Sequence, residues 1–222
     1  MKRTKLADRV LPDYTRGEEI MNMVTHIVGG SLGVAALVLC VVRAALGGDW
    51  LDITGASIYG ASIITLYTIS SVYHGLPPGM GKKVMQVIDH CTIYFLIAGS
   101  YTPVVLSALR PLYPQIAWGL LAAQWALAAL GATFTAIDLH RYRIFSMICY
   151  IGMGWGIVLF LPQTIEAVGW LSFGLLLAGG VAYTIGAVLY GIGAKKHWMH
   201  SVFHIFVVIG TIFQFFAIFL VI

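Results

Sequence analysis

His200 and His204 stand four residues apart in HSVFH, and Ser70 and His74 are spaced likewise in SSVYH. In a helix, residues four apart share one face. Two imidazoles placed so can bind one metal ion from a single helix. A third histidine from another helix would complete a three-histidine site with one position open, the arrangement of catalytic rather than structural zinc. Taken singly, each residue has a plainer reading. The pair could be two unrelated polar residues near an interface, and His74 an ordinary hydrogen-bonded helix-end group. Ser70 could bond back to its own helix, and Asp89, next to His90, could be a favourable anion in a helix's first turn. Glu19, Asn22 and His26 follow one another at spacings of three and four and so also share a face. That face reads either as a polar helix start or as a network packed against the metal helices. His90, His140 and His197 read as helix-end or loop residues.

Apolar helices must position these groups. The 222 residues are 59% hydrophobic and only 10% charged, with a mean hydropathy of +0.89. A soluble domain carries about 25% charged residues, and disorder needs low hydrophobicity with high net charge. Continuous apolar runs also argue against a barrel of alternating strands. Crossing a bilayer takes about 20 apolar residues. Candidate runs occupy approximately 21–42, 51–73, 85–109, 114–137, 144–162, 167–192 and 199–222. The expected fold is therefore an all-α membrane protein, a bundle of seven transmembrane helices. Residues 1–20 form a basic tail and 21–222 a single domain. The first apolar run is too long for a signal-peptide core and no small-residue cleavage site precedes it, so the tail is expected to be retained. Pro103, inside the third run, predicts a kink.

Charge orients the bundle. Of 13 Lys and Arg, all but Arg43 and Arg110 fall in the tail or in three connections carrying Lys82 and Lys83, Arg141 and Arg143, and Lys195 and Lys196. This bias puts the N-terminus in the cytoplasm and the C-terminus outside. The pI near 9.0 thus marks topology and not a nucleic-acid partner, although the tail could also touch anionic headgroups. All seven histidines then fall on the cytoplasmic side. Cys40, Cys91 and Cys149 lie within apolar runs and read as small buried hydrophobes. Gly29, Gly30 and Gly33 could pack helices closely, within one subunit or between two. The oligomeric state stays open.

At these residues the sequence resembles bacterial hemolysin III proteins, within the progestin and adipoQ receptor family and the wider superfamily that includes alkaline ceramidases. The resemblance runs over essentially the whole chain. It takes in Glu19, Asn22 and His26, then Ser70 with His74, then Asp89 and the stretch Tyr94 to Pro103 (YFLIAGSYTP), and last His200 with His204. It implies seven helices with a cytoplasmic N-terminus, and Zn2+ bound by His74, His200 and His204 with Asp89 and Ser70 close by. Bacterial members often carry a histidine deeper in the last helix, where this sequence has Gln214. The implied function is a zinc-dependent hydrolase of the bacterial inner membrane. It would act at the cytoplasmic side on a lipid amide or, second, an ester, with membrane lipids as partners. Asp89 would serve as general base and Ser70 as hydrogen-bond donor to the developing oxyanion. The alternative is a non-enzymatic regulator or receptor-like protein whose zinc only ties the second and seventh helices together. Three imidazoles also suit copper, iron or nickel. A channel is disfavoured, because charged residues within the spans are too few to line an aqueous path.

Overall fold

The computed structural model describes residues 4–193 and 196–222; Lys2, Arg3 and Lys195, counted among the orienting charges, lie outside the described residues. Every regular element among the described residues is helical. The main helices are α1 (Arg16–Gly47), α2 (Trp50–Gly75), α3 (Met80–Pro103), α4 (Pro114–Ile137), α5 (Arg143–Trp155), α6 (Leu161–Gly193) and α7 (Met199–Val221). Among the described residues six helical runs are long and apolar enough to cross a membrane, because α5, a 3-10 stretch at Gly156–Phe160 and α6 join into one run, Arg143–Gly191. That run is not straight. Gly169, inside α6, has φ 75° and ψ 160°, a backbone that glycine adopts without a Cβ clash. The Trp155 indole donates to Thr184 Oγ1 at 3.0 Å across 29 residues, which a straight helix would hold about 44 Å apart. The run folds back on itself.

Local sequence explains the helix ends. Thr15 caps α1 in a reciprocal box with Glu18, and Asp49 caps α2 in another with Asp52. The buried positions of α1 are Glu18, Asn22, His26, Gly29, Gly33, Ala36, Cys40 and Ala44, a stripe at spacings of three and four. Its polar residues occupy the N-terminal end and its small residues the rest. The small residues seat α1 on α2 within this one chain. A Cβ on Gly29 would come within 2.5 Å of the Tyr67 ring, and one on Gly33 within 2.6 Å of Ile63. Valines and isoleucines such as Val28, Val34, Val38 and Val42 point away from the core and are exposed, as expected of a surface that meets lipid.

Pro103 has the anticipated effect. It lacks the N–H that would continue the i to i−4 ladder, and the chain widens into a π turn over Val104–Leu109 before ending at Leu112. The residues before α1 are not free. Thr4 N donates to Asp138 Oδ2 at 2.8 Å, and Lys83 Nζ donates to Ala7 O at 2.6 Å. At the other end of the bundle Arg43 Nε donates to the carbonyl of Ile222, and Arg110 pairs with Asp49 at 2.7 Å.

Candidate metal centre

His74 lies in the last turn of α2, and His200 and His204, one turn apart, lie at the start of α7. Their Nε2 atoms converge. His200 Nε2 lies 3.3 Å from His74 Nε2 and 3.1 Å from His204 Nε2. One ligand atom from each histidine lies within 4.8 Å of both others. Tetrahedral zinc with bonds of about 2.0–2.1 Å sets its nitrogens roughly 3.3–3.4 Å apart, so the spacing fits.

The far sides of the rings fix the tautomers. His74 Nδ1 donates to Glu19 Oε2 at 2.6 Å, and His204 Nδ1 donates to the backbone carbonyl of Asn22 at 3.3 Å. Each bond puts the ring proton on Nδ1 and leaves a lone pair on Nε2. Both lone pairs face His200 Nε2, which has at most one proton to share between them. A cation at the point of convergence satisfies all three nitrogens at once, so the donor set suits a metal ion.

Several rings hold these imidazoles. Tyr14 stacks on His200 with centroids 4.9 Å apart and planes 13° from parallel. Burial keeps the Tyr14 phenol well above its usual pKa, helped by nearby phenols and carboxylates, so it stays neutral. His26 stacks on His204 at 3.7 Å and 15° and meets the edge of Tyr67 at 4.8 Å. Neither His26 nitrogen has a hydrogen-bond partner among the described residues; its contact with the centre is by stacking.

The polar end of α1 also secures the start of α7. Trp198, which caps α7, is left-handed with φ 67°, an uncommon backbone for a bulky residue. Its N–H donates to Glu18 Oε1 at 2.5 Å, and His197 Nδ1 lies 3.2 Å from Glu18 Oε2. Ser201 Oγ donates to Asn22 Oδ1 at 2.6 Å. Lys82, whose sequence context marks it as a topology charge, is instead buried. Its Nζ lies 2.8 Å from Glu19 Oε1 and donates to the carbonyls of Leu76 at 2.9 Å and His74 at 3.3 Å.

Ser70 and Asp89 are both buried. Together with His200 and His204 they line a cavity of about 1140 Å³. Most of its wall is apolar, with Ile93, Leu96, Phe173, Leu176 and Val207, although Arg143, Thr184 and Gln214 also line it. A smaller cavity of about 540 Å³ is lined by His74 together with Tyr14, Arg16, Glu19 and Lys82.

The structure thus brings His74, His200, His204, Glu19, Asn22, His26, Ser70 and Asp89 into one region. His90, with Nδ1 2.8 Å from the Gln86 carbonyl, stays apart from the three nitrogens, as does His197. Gln214 lines the large cavity and donates to the Leu176 carbonyl at 3.1 Å, which ties α7 to α6. Tyr14, Lys82 and Ser201 escape the sequence reading. Only Ser201 carries a local signal, lying between the two α7 histidines.

A family model described as haemolysin-III related matches residues 14–215. The chain is 35% identical to "Hemolysin-3" of Bacillus cereus over 201 residues, covering 90% of each protein. It is 34% identical to the "Hemolysin-3 homolog" of Bacillus subtilis (strain 168) over 205 residues, covering 92% of this chain and 94% of the relative. A more distant match is the human "Monocyte to macrophage differentiation factor", 28% identical over 210 residues, with 90% of this chain and 83% of the relative covered.

Proposed function

The chain belongs to the haemolysin-III-related family, and on that footing we propose that it is a membrane-embedded, zinc-dependent hydrolase of a lipid amide or, second, an ester. We place its three-histidine end at the cytoplasmic face of a bacterial inner membrane. In this reading the fold-back at Gly169 makes Arg143–Gly191 two passes, giving seven in all. The N-terminus is then cytoplasmic and the C-terminus outside, which agrees with the Lys and Arg bias.

One observation carries the reading: two of the three histidines, His200 and His204, share a single large, mostly apolar cavity with Ser70 and Asp89. A metal that only tied α2 to α7 would need no such open side. When bound by His74, His200 and His204, zinc would supply a Lewis acid and make a water more acidic. The rest is done by the chain's own groups. The Asp89 carboxylate takes the proton of the attacking water. The Ser70 hydroxyl, which lines the same cavity as Asp89, donates a hydrogen bond to the carbonyl oxygen as negative charge develops on it. The apolar wall seats an acyl chain and excludes bulk water, which strengthens both interactions. Glu19 and the Asn22 carbonyl keep the imidazoles turned so that Nε2 faces inward.

The test is Asp89→Asn in purified protein supplied with lipid amides and esters. Metal content should be kept and turnover should fall by about 10²-fold or more. Unchanged turnover in that variant would sink the mechanism.

A further inference from the structure

Lys82 is 4% exposed, although a lysine is almost never fully buried unless it is paired. Its three bonds converge on one place. Nζ lies 2.8 Å from Glu19 Oε1, and it donates to the carbonyls of His74, in the last turn of α2, and of Leu76, just beyond its end. The other oxygen of the same carboxylate receives His74 Nδ1 at 2.6 Å. Lys82, Glu19 and His74 therefore form a chain of three from α3 through α1 to α2, ending on a candidate ligand. We infer that Lys82 is a positioning residue for the metal centre, acting through Glu19 on the orientation of His74. The inference rests on the three-histidine metal reading but not on hydrolysis.

Two physical effects give it that role. First, Glu19 has somewhere else to go. Its side chain is 20% exposed and lines the smaller cavity alongside Arg16. Without the Lys82 cation on Oε1, water and Arg16 compete for the carboxylate, and Oε2 leaves His74 Nδ1. The imidazole then loses the bond that fixes its tautomer and its plane. Second, the carbonyls at a helix C-terminus have no partners within the helix. Lys82 supplies one to His74 itself and one to Leu76, so the backbone that carries the ligand is also held. Its Nζ lies 5.1 Å from the Tyr73 ring centroid, which leaves the ammonium little room to choose other partners.

The experiment compares zinc dissociation constants of detergent-purified wild type, Lys82→Met, Glu19→Gln and the double variant. Partners of metal-ligating histidines typically change metal affinity by about 10–100-fold, and Lys82→Met should fall in that range. Because Lys82 works through Glu19, the double variant should bind zinc within about threefold of Glu19→Gln alone. The double variant also removes both charges together, so it leaves no unpaired ion buried. It stays informative if Lys82→Met alone does not fold. Lys82→Arg, which keeps the charge, should restore much of the affinity. Zinc binding by Lys82→Met equal to wild type overturns the inference. So does a double variant at least tenfold weaker than Glu19→Gln, because Lys82 would then act independently of Glu19. Absence of turnover in wild type that binds zinc would count against hydrolysis and leave the Lys82 role standing.

Discussion

Asn22 serves the site through its side chain and its backbone; its Nδ2 also lies 3.5 Å from His74 Nδ1, a contact secondary to the 2.6 Å bond from that nitrogen to Glu19. Its Oδ1 accepts from Ser201, and its carbonyl accepts from His204 Nδ1. The two roles separate on mutation. Asn22→Ala keeps the carbonyl, so His204 keeps its tautomer, while the buried Ser201 hydroxyl loses its acceptor. Leaving such a group unsatisfied costs about 1–3 kcal/mol. Asn22→Ala should therefore melt earlier in detergent yet hold as much metal per folded chain as wild type, measured by thermal unfolding and metal analysis. What the sequence disclosed at this scale follows from separation along the chain. His200 and His204 are neighbours on one helix, so their spacing alone suggests a shared ligand. His74 is 126 residues from His200, and family resemblance, not spacing, pointed to it. The contact of Lys82 with the centre was not legible, because its burial depends on Glu19 from another helix and a lysine near a helix start already has an explanation in topology.

Elements divide in the same way. The kink at Pro103 follows from one residue's missing N–H, and so it was legible. Its form as a π turn was not. The turn sits where α2 comes close, since a Cβ on Gly55 would lie 3.0 Å from Pro103 Cα, and that proximity is tertiary. The fold-back in Arg143–Gly191 rests on one glycine, Gly169, among 25 in the chain. The N-terminal segment shows most plainly what composition hides. It reads as a basic tail, yet it is tied down through Asp138, which lies just beyond the end of α4. Burial opposes ionisation there, but the N–H groups of Thr4 and Arg141 and the charge of Arg9 outweigh it and hold the carboxyl down at about 2. An unfolded Asp titrates near about 3.9. The stabilisation is thus fully present above about pH 4 and is lost as pH falls through about 2. The segment should become cleavable by an acid protease across that window in wild type. In Asp138→Asn it should already be loose at neutral pH, with no further step on acidification.

For the whole molecule, hydropathy sufficed for an all-helical membrane protein, because 59% hydrophobic residues leave few alternatives. It did not place the cavity, which forms where α3, α5, α6 and α7 stand apart, a matter of helix packing. Orientation can be tested with single cysteines in an otherwise cysteine-free chain. A cysteine replacing Trp50, beside the Arg43 and Arg110 end, should react with a membrane-impermeant maleimide once the outer barrier alone is opened. One at Met80, at the histidine end, should react only after the inner membrane is permeabilised. The reverse pattern would invert the proposed topology.

The convergence of three Nε2 atoms is the centre of the account, and metal content tests it most directly. Detergent-purified wild type should carry about one zinc per chain. His74→Ala, His200→Ala and His204→Ala should each lose it while remaining folded, since three ligands from two helices form one site. Folded wild type that takes up no metal even when zinc is added would contradict the account, as would any of the three variants that kept its full complement.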